Sequence, residues 1–220
     1  MASALTQSKI INAAAGKCGS TETISSINDS GNLAKHARNF WPVILEELSG
    51  EHPWNWALRR ARLPRAGEDP AFGFDYAYDL PADCARFLKP QREWDHLYED
   101  LFYYCEVEDG QIVTDHEAPL PVRYISRDRF EDTGRWPGYF AAVVRYRMAA
   151  MLARPLAGSM GLMDRMNDKA DKALKNAKRR DGQEGGARRR TPNYRRSRWL
   201  SGSALWPSEA HDPFYRGVYR

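Results

Sequence analysis

His36, His52, His96, His116 and His211 are the side chains of this 220-residue sequence best suited to proton transfer or metal binding near neutral pH. Their spacing supports neither. No H-E-x-x-H or comparable ligand spacing joins them, so each reads as a surface or ordinary core histidine. Glu46 and Glu47 are adjacent within a helical pattern and therefore point in different directions, which rules them out as a facing acid/base pair. Gly16-Lys17-Cys18-Gly19 holds a fragment of a phosphate loop but follows a helical segment, not a strand, and a helix C-cap explains it better. Cys18, Cys84 and Cys105 are odd in number, far apart and without C-x-x-C spacing. They read as small buried apolar side chains, not a disulfide framework or a zinc site. The expectation is a non-enzymatic chain with no catalytic group, cofactor or metal.

The chemistry that remains is that of docking. The C-terminal stretch "RRRTPNYRRSRWLSGSALWPSEAHDPFYRGVYR" interleaves Arg195, Arg196 and Arg198 with Tyr194 and Trp199, then presents Trp206, Phe214, Tyr215 and Tyr219. Interleaved arginine and aromatic residues can hold a nucleic-acid backbone and stack bases. They are also what the centres of protein interfaces favour. A solvated basic extension would not need so many large aromatics, each worth roughly 1.5–3 kcal/mol when buried. The net charge of +4 conceals an uneven distribution, with Lys169 to Arg198 strongly basic and Glu99 to Glu117 mostly acidic. Such asymmetry points to charged partners.

Stepping the pattern back along the chain gives the elements that must carry this tail. A first helix is expected from Thr6, its cap, to about Gly16, with Ile10, Ala14 and Cys18 on one face. A second, capped by Asp29 or Ser30, places Leu33, Ala37, Phe40, Trp41, Ile44, Leu45 and Leu48 on one stripe. Pro42 should kink it, and Gly50 with Pro53 should end it. The period then changes from helical to alternating: Trp54, Trp56 and Leu58 read as one face of a strand. The same alternation returns with Phe74, Tyr76, Tyr78 and Leu80 and in "PVRYIS", while Asp109-Gly110 between two alternating runs is a hairpin signal.

From Pro137 the helical period resumes, with a stripe of Phe140, Val144, Met148, Met151 and Leu152 ending near Pro155 and Gly158. A fourth helix, Ser159 to about Arg180, should bury Leu162, Met163, Met166, Ala170, Ala173, Leu174 and Ala177. "DGQEGGARRR" reads as a flexible linker, since it has almost no apolar surface to offset the cost of ordering. The expected fold is α+β and mainly α: a four-helix bundle (1–52 and 133–182), an inserted antiparallel β-sheet module (53–132), and a linker with an extended C-terminal docking tail (183–220). No apolar run approaches the roughly 18 residues of a membrane span, and "MASALTQSKIINAAAGKCG" lacks a secretory pattern, so the expected compartment is the cytoplasm.

"IINAAAGKCGSTETISSINDSGNLAKHARNFWPVILEELSGEHPWNWALRRARL" resembles the N-terminal signature of phage head-to-tail adaptor proteins of the tail tubular protein A type. The likeness lies in the small-residue turn after the first helix, the I-x-S-I-x-D-like segment, the Trp-Pro step and H-P-W-x-W-A. It continues in "YDLPADCARFLKP", in "VRYISR" and in "WPGYFAAVVRYRMAAMLARPLAGS", and spans Ile10 to about Ala177. The resemblance implies a virion structural protein, assembled in the host cytoplasm. It would form a ring, generally dodecameric, between the portal protein and the tail nozzle protein, with DNA passing through the channel without sequence-specific binding. It also implies that Tyr194, Arg195, Arg198, Trp199, Trp206, Phe214, Tyr215 and Tyr219 are portal-docking residues. Trp54 and Trp56 would turn the chain out of the bundle and cover its junction with the sheet. Two other readings of the residues stand beside it: a basic nucleic-acid-binding protein using residues 172–198, and a head-completion protein with cell-wall hydrolase activity.

Overall fold

The structure, a computed structural model, describes residues 6–89 and 104–184. Within them the chain is α+β and mostly helical, with five helices and two small three-stranded antiparallel sheets inserted between the second and third helices. His96, His211, and the expected linker and docking residues from 185 onward lie outside the described residues.

Helix α1 (Gln7–Lys17) starts where expected: the Thr6 hydroxyl accepts from the Lys9 N–H, satisfying one of the orphan donors of the first turn. Gly19, at φ 78°, takes the left-handed position after the last turn, so the Gly-Lys-Cys-Gly segment is a helix terminus. Helix α2 (Asn32–Glu51) is capped differently from expectation. Gly31, not Asp29 or Ser30, is the N-cap, and the Glu22 carboxylate from the preceding loop accepts from the Leu33 N–H at 3.1 Å. Asp29 instead accepts from the backbone N–H groups of Ser25 and Ser26, closing the loop itself. The helix runs through Pro42, whose ring lies on the exposed side.

Nor does Gly50 end α2 in a left-handed turn. It stays within the helix, and His52 leaves it in extended conformation (φ −152°, ψ 144°). The unpaired carbonyls of the last turn find side-chain donors instead, which removes the need for a glycine cap. The Trp54 indole Nε1–H donates to the Leu48 carbonyl at 2.7 Å, and Arg86 Nη1 donates to the Gly50 carbonyl at 3.1 Å.

The alternation of Trp54, Trp56 and Leu58 does not form one strand. Asn55–Ala57 is a single 3-10 turn, and strand β1 (Leu58–Leu63) begins only after it. Packing overrides the alternation: Trp54, fully buried, meets Phe140 edge-on at 5.1 Å, while Trp56 lies 4.9 Å from Phe130 and 4.7 Å from Phe140. Both tryptophans thus cover the junction between helices and sheet.

The other strands are β2 (Tyr76–Asp79), β3 (Cys84–Phe87), β4 (Cys105–Glu108), β5 (Gln111–Thr114) and β6 (Leu120–Ser126). One sheet has the order β1-β6-β3 and the other β2-β5-β4. The Asp109-Gly110 signal is realised as the β4–β5 hairpin, with φ 43° and 77° at its two central residues and Glu108 opposite Gln111. Tyr76, Tyr78 and Leu80 do share a face, packing into a core that the two sheets make together.

A short helix α3 (Arg127–Glu131) leads to α4 (Gly138–Ala157), and Gly158 at φ 58° turns the chain into α5 (Met160–Glu184). Helix α4 is the hub: α1, α2 and α5 all pack against it. Its buried set is wider than the expected stripe, adding Ala141, Val143, Ala149, Ala150 and Ala153 and leaving Met151 only half-buried. A helix with neighbours on several sides needs apolar side chains around most of its circumference, and alanines let the neighbours approach closely.

Candidate functional site

The buried stripe of α5 is Met166, Ala170, Leu174, Ala177 and Asp181. Steps of four, four, three and four residues keep one helix face toward the core, so Asp181 occupies a core position and its side chain is 0% exposed. The expected linker from Asp181 onward is therefore corrected: α5 continues to Glu184. Composition favours a linker there, but tertiary hydrogen bonds decide otherwise. The Asn55 backbone N–H reaches both carboxylate oxygens at 3.1 Å, and Asn55 Nδ2 donates to Oδ2 at 2.9 Å and to the Asp181 carbonyl at 2.7 Å. His52 Nε2 lies 3.1 Å from Oδ2. A carboxylate only accepts, so Nε2 is the nitrogen that carries hydrogen here.

Tyr139, near the start of α4, completes the set. Its hydroxyl faces Asp181 Oδ1 at 3.2 Å and Glu184 Oε2 at 2.8 Å. Burial, the hydrogen bond to Glu184 and the negative charge of Asp181 together push this phenol well above its ordinary value, so it remains a donor throughout the neutral range. Lys178 of α5 and Glu51 of α2 add an ion pair between those two helices, and the Lys178 hydrogen bond holds the Glu51 carboxyl below its usual range. Asp181 thus joins α5 to α4 and to the α2–β1 corner at one point.

A second carboxylate does the same for the sheets. Asp83 precedes β3 and accepts from Ser126 Oγ, from Tyr124 OH at 3.0 Å and from Arg59 Nη1 at 2.7 Å, while its backbone carbonyl accepts from the Arg127 N–H at 2.7 Å. Burial raises the Asp83 carboxyl, but these three hydrogen bonds and the Arg59 charge outweigh it and hold it below the ordinary carboxylate value. The same Arg59 amino group reaches Asp128 at 3.3 Å.

The donors around Asp181 and Asp83 come from the chain itself, and each carboxylate is held among fold-bearing partners. Among the described residues no group of three or more His, Cys, Asp and Glu side chains could hold a metal ion. Burial pushes the Cys18, Cys84 and Cys105 thiols up, away from the reactive thiolate. Cys18 and Cys105 are buried as expected, whereas Cys84 is only half-buried. Two surface grooves are open and chemically mixed. One of about 600 Å³ is lined by Trp41, Pro42, Leu45, Glu46, Arg127 and Phe130. The other, about 570 Å³, lies beside Phe40, Met151, Arg154 and Met163.

Of the histidines weighed from the sequence, His52 belongs to the Asp181 network, His36 stacks on Phe40 at 6.0 Å, and His116 Nδ1 lies 2.8 Å from the Glu117 carbonyl. The structure brings no two of these three together. Asp181, Asn55, Tyr139 and Asp83 escaped the sequence reading. Asp181 had a usable signal, an acid continuing the apolar period of α5, whereas the partners of Asp83 come from two separate segments, β1 and the end of β6, and had none. No family model matches this sequence, and a search of curated proteins finds none similar to it.

Proposed function

We propose that this chain is a structural head-to-tail adaptor of a phage virion, forming a ring between portal and tail nozzle around the DNA channel. On this reading the four long helices make the bundle that builds the ring body, and the inserted sheets are its exposed appendage. The tail from Thr191 to Arg220 docks on the portal through Tyr194, Arg195, Arg198, Trp199, Trp206, Phe214, Tyr215 and Tyr219. The protein acts without a cofactor, in the virion at the portal vertex, after assembly in the host cytoplasm. None of the described helices is long and apolar enough to cross a membrane.

The observation that carries the reading is where the family-like motifs fall. The residues of His52-Pro53-Trp54-Asn55-Trp56-Ala57 make the α2–β1 corner, with Trp54 and Ala57 fully buried and His52 and Asn55 on Asp181. Asp83 in Tyr78-Asp79-Leu80-Pro81-Ala82-Asp83-Cys84 ties the first sheet to α3. Trp136, at the head of the Trp-Pro-Gly-Tyr-Phe run, stacks on Trp41 at 5.7 Å. The resemblance therefore rests on residues that fix joints in the fold, as a shared architecture requires, and not on scattered surface positions.

Deleting Thr191–Arg220 from the full chain and measuring co-assembly with portal rings tests the proposal. Loss of docking with an intact helical far-UV spectrum is expected; undiminished docking refutes the anchor. Tight duplex binding that weakens steeply with salt, in place of portal docking, would assign the basic stretch 172–198 to nucleic acid instead.

A further inference from the structure

Helices α2 and α5 both lie against α4, and they meet one another at their C-terminal ends, where His52 Nε2 reaches Asp181 at 3.1 Å and Lys178 pairs with Glu51. Toward their N-terminal ends they leave α4 uncovered. His36 and Phe40 of α2 form one wall of the resulting groove, Met163 and Asn167 of α5 the other, and Met151 and Arg154 of α4 lie between them. A groove of about 570 Å³ between two helices and over a third is the space that a further helix would take.

The apolar surface extends past the groove itself. Val43, one turn beyond Phe40 on α2, is 47% exposed, and Met160, one turn before Met163 on α5, is 53% exposed. Met151, Met160 and Met163 bring flexible thioether side chains to this strip, the type that adapts to an incoming amphipathic helix. The charge in the groove has one sign. Arg154 and His36 are its titratable side chains, and no carboxylate lines it. Arg154 is exposed, and among the described residues it takes part in no ion pair. A carboxylate arriving beside an apolar stripe would meet this guanidinium, whereas a lysine there would be repelled. No described helix of a second copy has a stripe to offer, because α1, α2, α4 and α5 each bury theirs within their own chain.

We infer that this groove receives an amphipathic helix of a different protein, its apolar stripe on Phe40, Met151 and Met163 and one of its carboxylates on Arg154. The inference stands apart from the adaptor reading, since the groove is built from residues 36 to 167 and needs neither the C-terminal tail nor a ring.

The probe is a synthetic helical peptide of about 18 residues, with leucine at i, i+4, i+7 and i+11 and glutamate beside that stripe, labelled for fluorescence anisotropy with the full chain. A second peptide carries lysine in place of each glutamate. Saturable binding of the acidic peptide, roughly tenfold or more tighter than that of the basic one, is expected. R154E should invert this preference with an unchanged far-UV spectrum, and R154Q should remove it. M163E should weaken both peptides by roughly tenfold or more. The exposed M160E serves in its place if M163E disturbs folding. Deleting Thr191–Arg220 should change none of these values. Absence of saturable binding by either peptide below about 1 mM overturns the inference. Binding that folded R154E and M163E chains leave unaltered overturns it as well. So does self-association of the full chain in sedimentation that M163E dissolves, which would make a second copy the occupant. Peptide binding by a chain that does not dock on portal rings would sink the adaptor reading alone; docking without peptide binding would do the reverse.

Discussion

Replacing Asp181 by alanine removes the carboxylate that joins α5 to α4 and to the corner after α2. The cost follows from what each donor is left with. Tyr139 keeps Glu184, Asn55 Nδ2 keeps the backbone carbonyl of residue 181, and His52, with 22% of its side chain exposed, can turn to water. The part-buried Asn55 backbone N–H loses both of its carboxylate acceptors. Leaving it unsatisfied costs about 1–3 kcal/mol, and the lost charge-assisted bonds and small void bring the total to roughly 2–4 kcal/mol. With a urea dependence of about 2 kcal/mol per M, the midpoint of the far-UV transition falls by about 1–2 M. Asp181→Asn, which keeps the shape and one acceptor oxygen but turns an amino group toward other donors, should fall between. Asp171→Ala is the control, because Asp171 is 65% exposed in its pair with Arg147 and such pairs contribute under about 1 kcal/mol. A midpoint for Asp181→Ala no lower than that of the control would refute the view that this carboxylate holds the joint.

Asp83 contributes to the loss of stability in acid. Its folded-state carboxyl lies below the ordinary value, so below about pH 4 the unfolded chain binds more protons than the folded one. The stability it contributes is complete above that pH and is lost as pH falls through its folded value. Asp83→Asn should therefore lower the urea midpoint at neutral pH and flatten its decline in acid; an unchanged acid limb would exclude the mechanism. Gly31→Ala should lower the thermal midpoint, even though φ −65° and ψ 162° suit alanine, because the new Cβ collides with the Glu22 carboxylate that serves Leu33. Losing that cap costs about 0.5–2 kcal/mol, and a rise in the midpoint, the ordinary result of replacing glycine, would count against it.

Much of the helical part was legible because its signals are local. The Thr6 cap, the α2 stripe from Leu33 to Leu48, and the Asp109-Gly110 turn each depend on residues within a few positions of one another. The errors share the opposite property. Gly50 resembles a helix terminator until Trp54 and Arg86 supply donors to the carbonyls it was meant to serve. Asp29 looks like the cap of α2, yet Glu22 reaches it first from across a loop. The alternation from Trp54 to Leu58 looks like a strand, but both tryptophans are drawn onto Phe140, far away in sequence.

The sequence by itself determined the fold class, the long helices, the hairpin and the uneven charge, since period, propensity and turn chemistry act over one or two turns of chain. Only the tertiary structure decided that α4 is the hub, that Asp181 is a core residue and not the start of a linker, and that Asp83 gathers donors from β1 and β6. Those facts depend on which distant segments meet. A carboxylate in a linear string is polar wherever it stands; whether it is exposed or becomes the anchor of a joint depends on which donors the fold places around it.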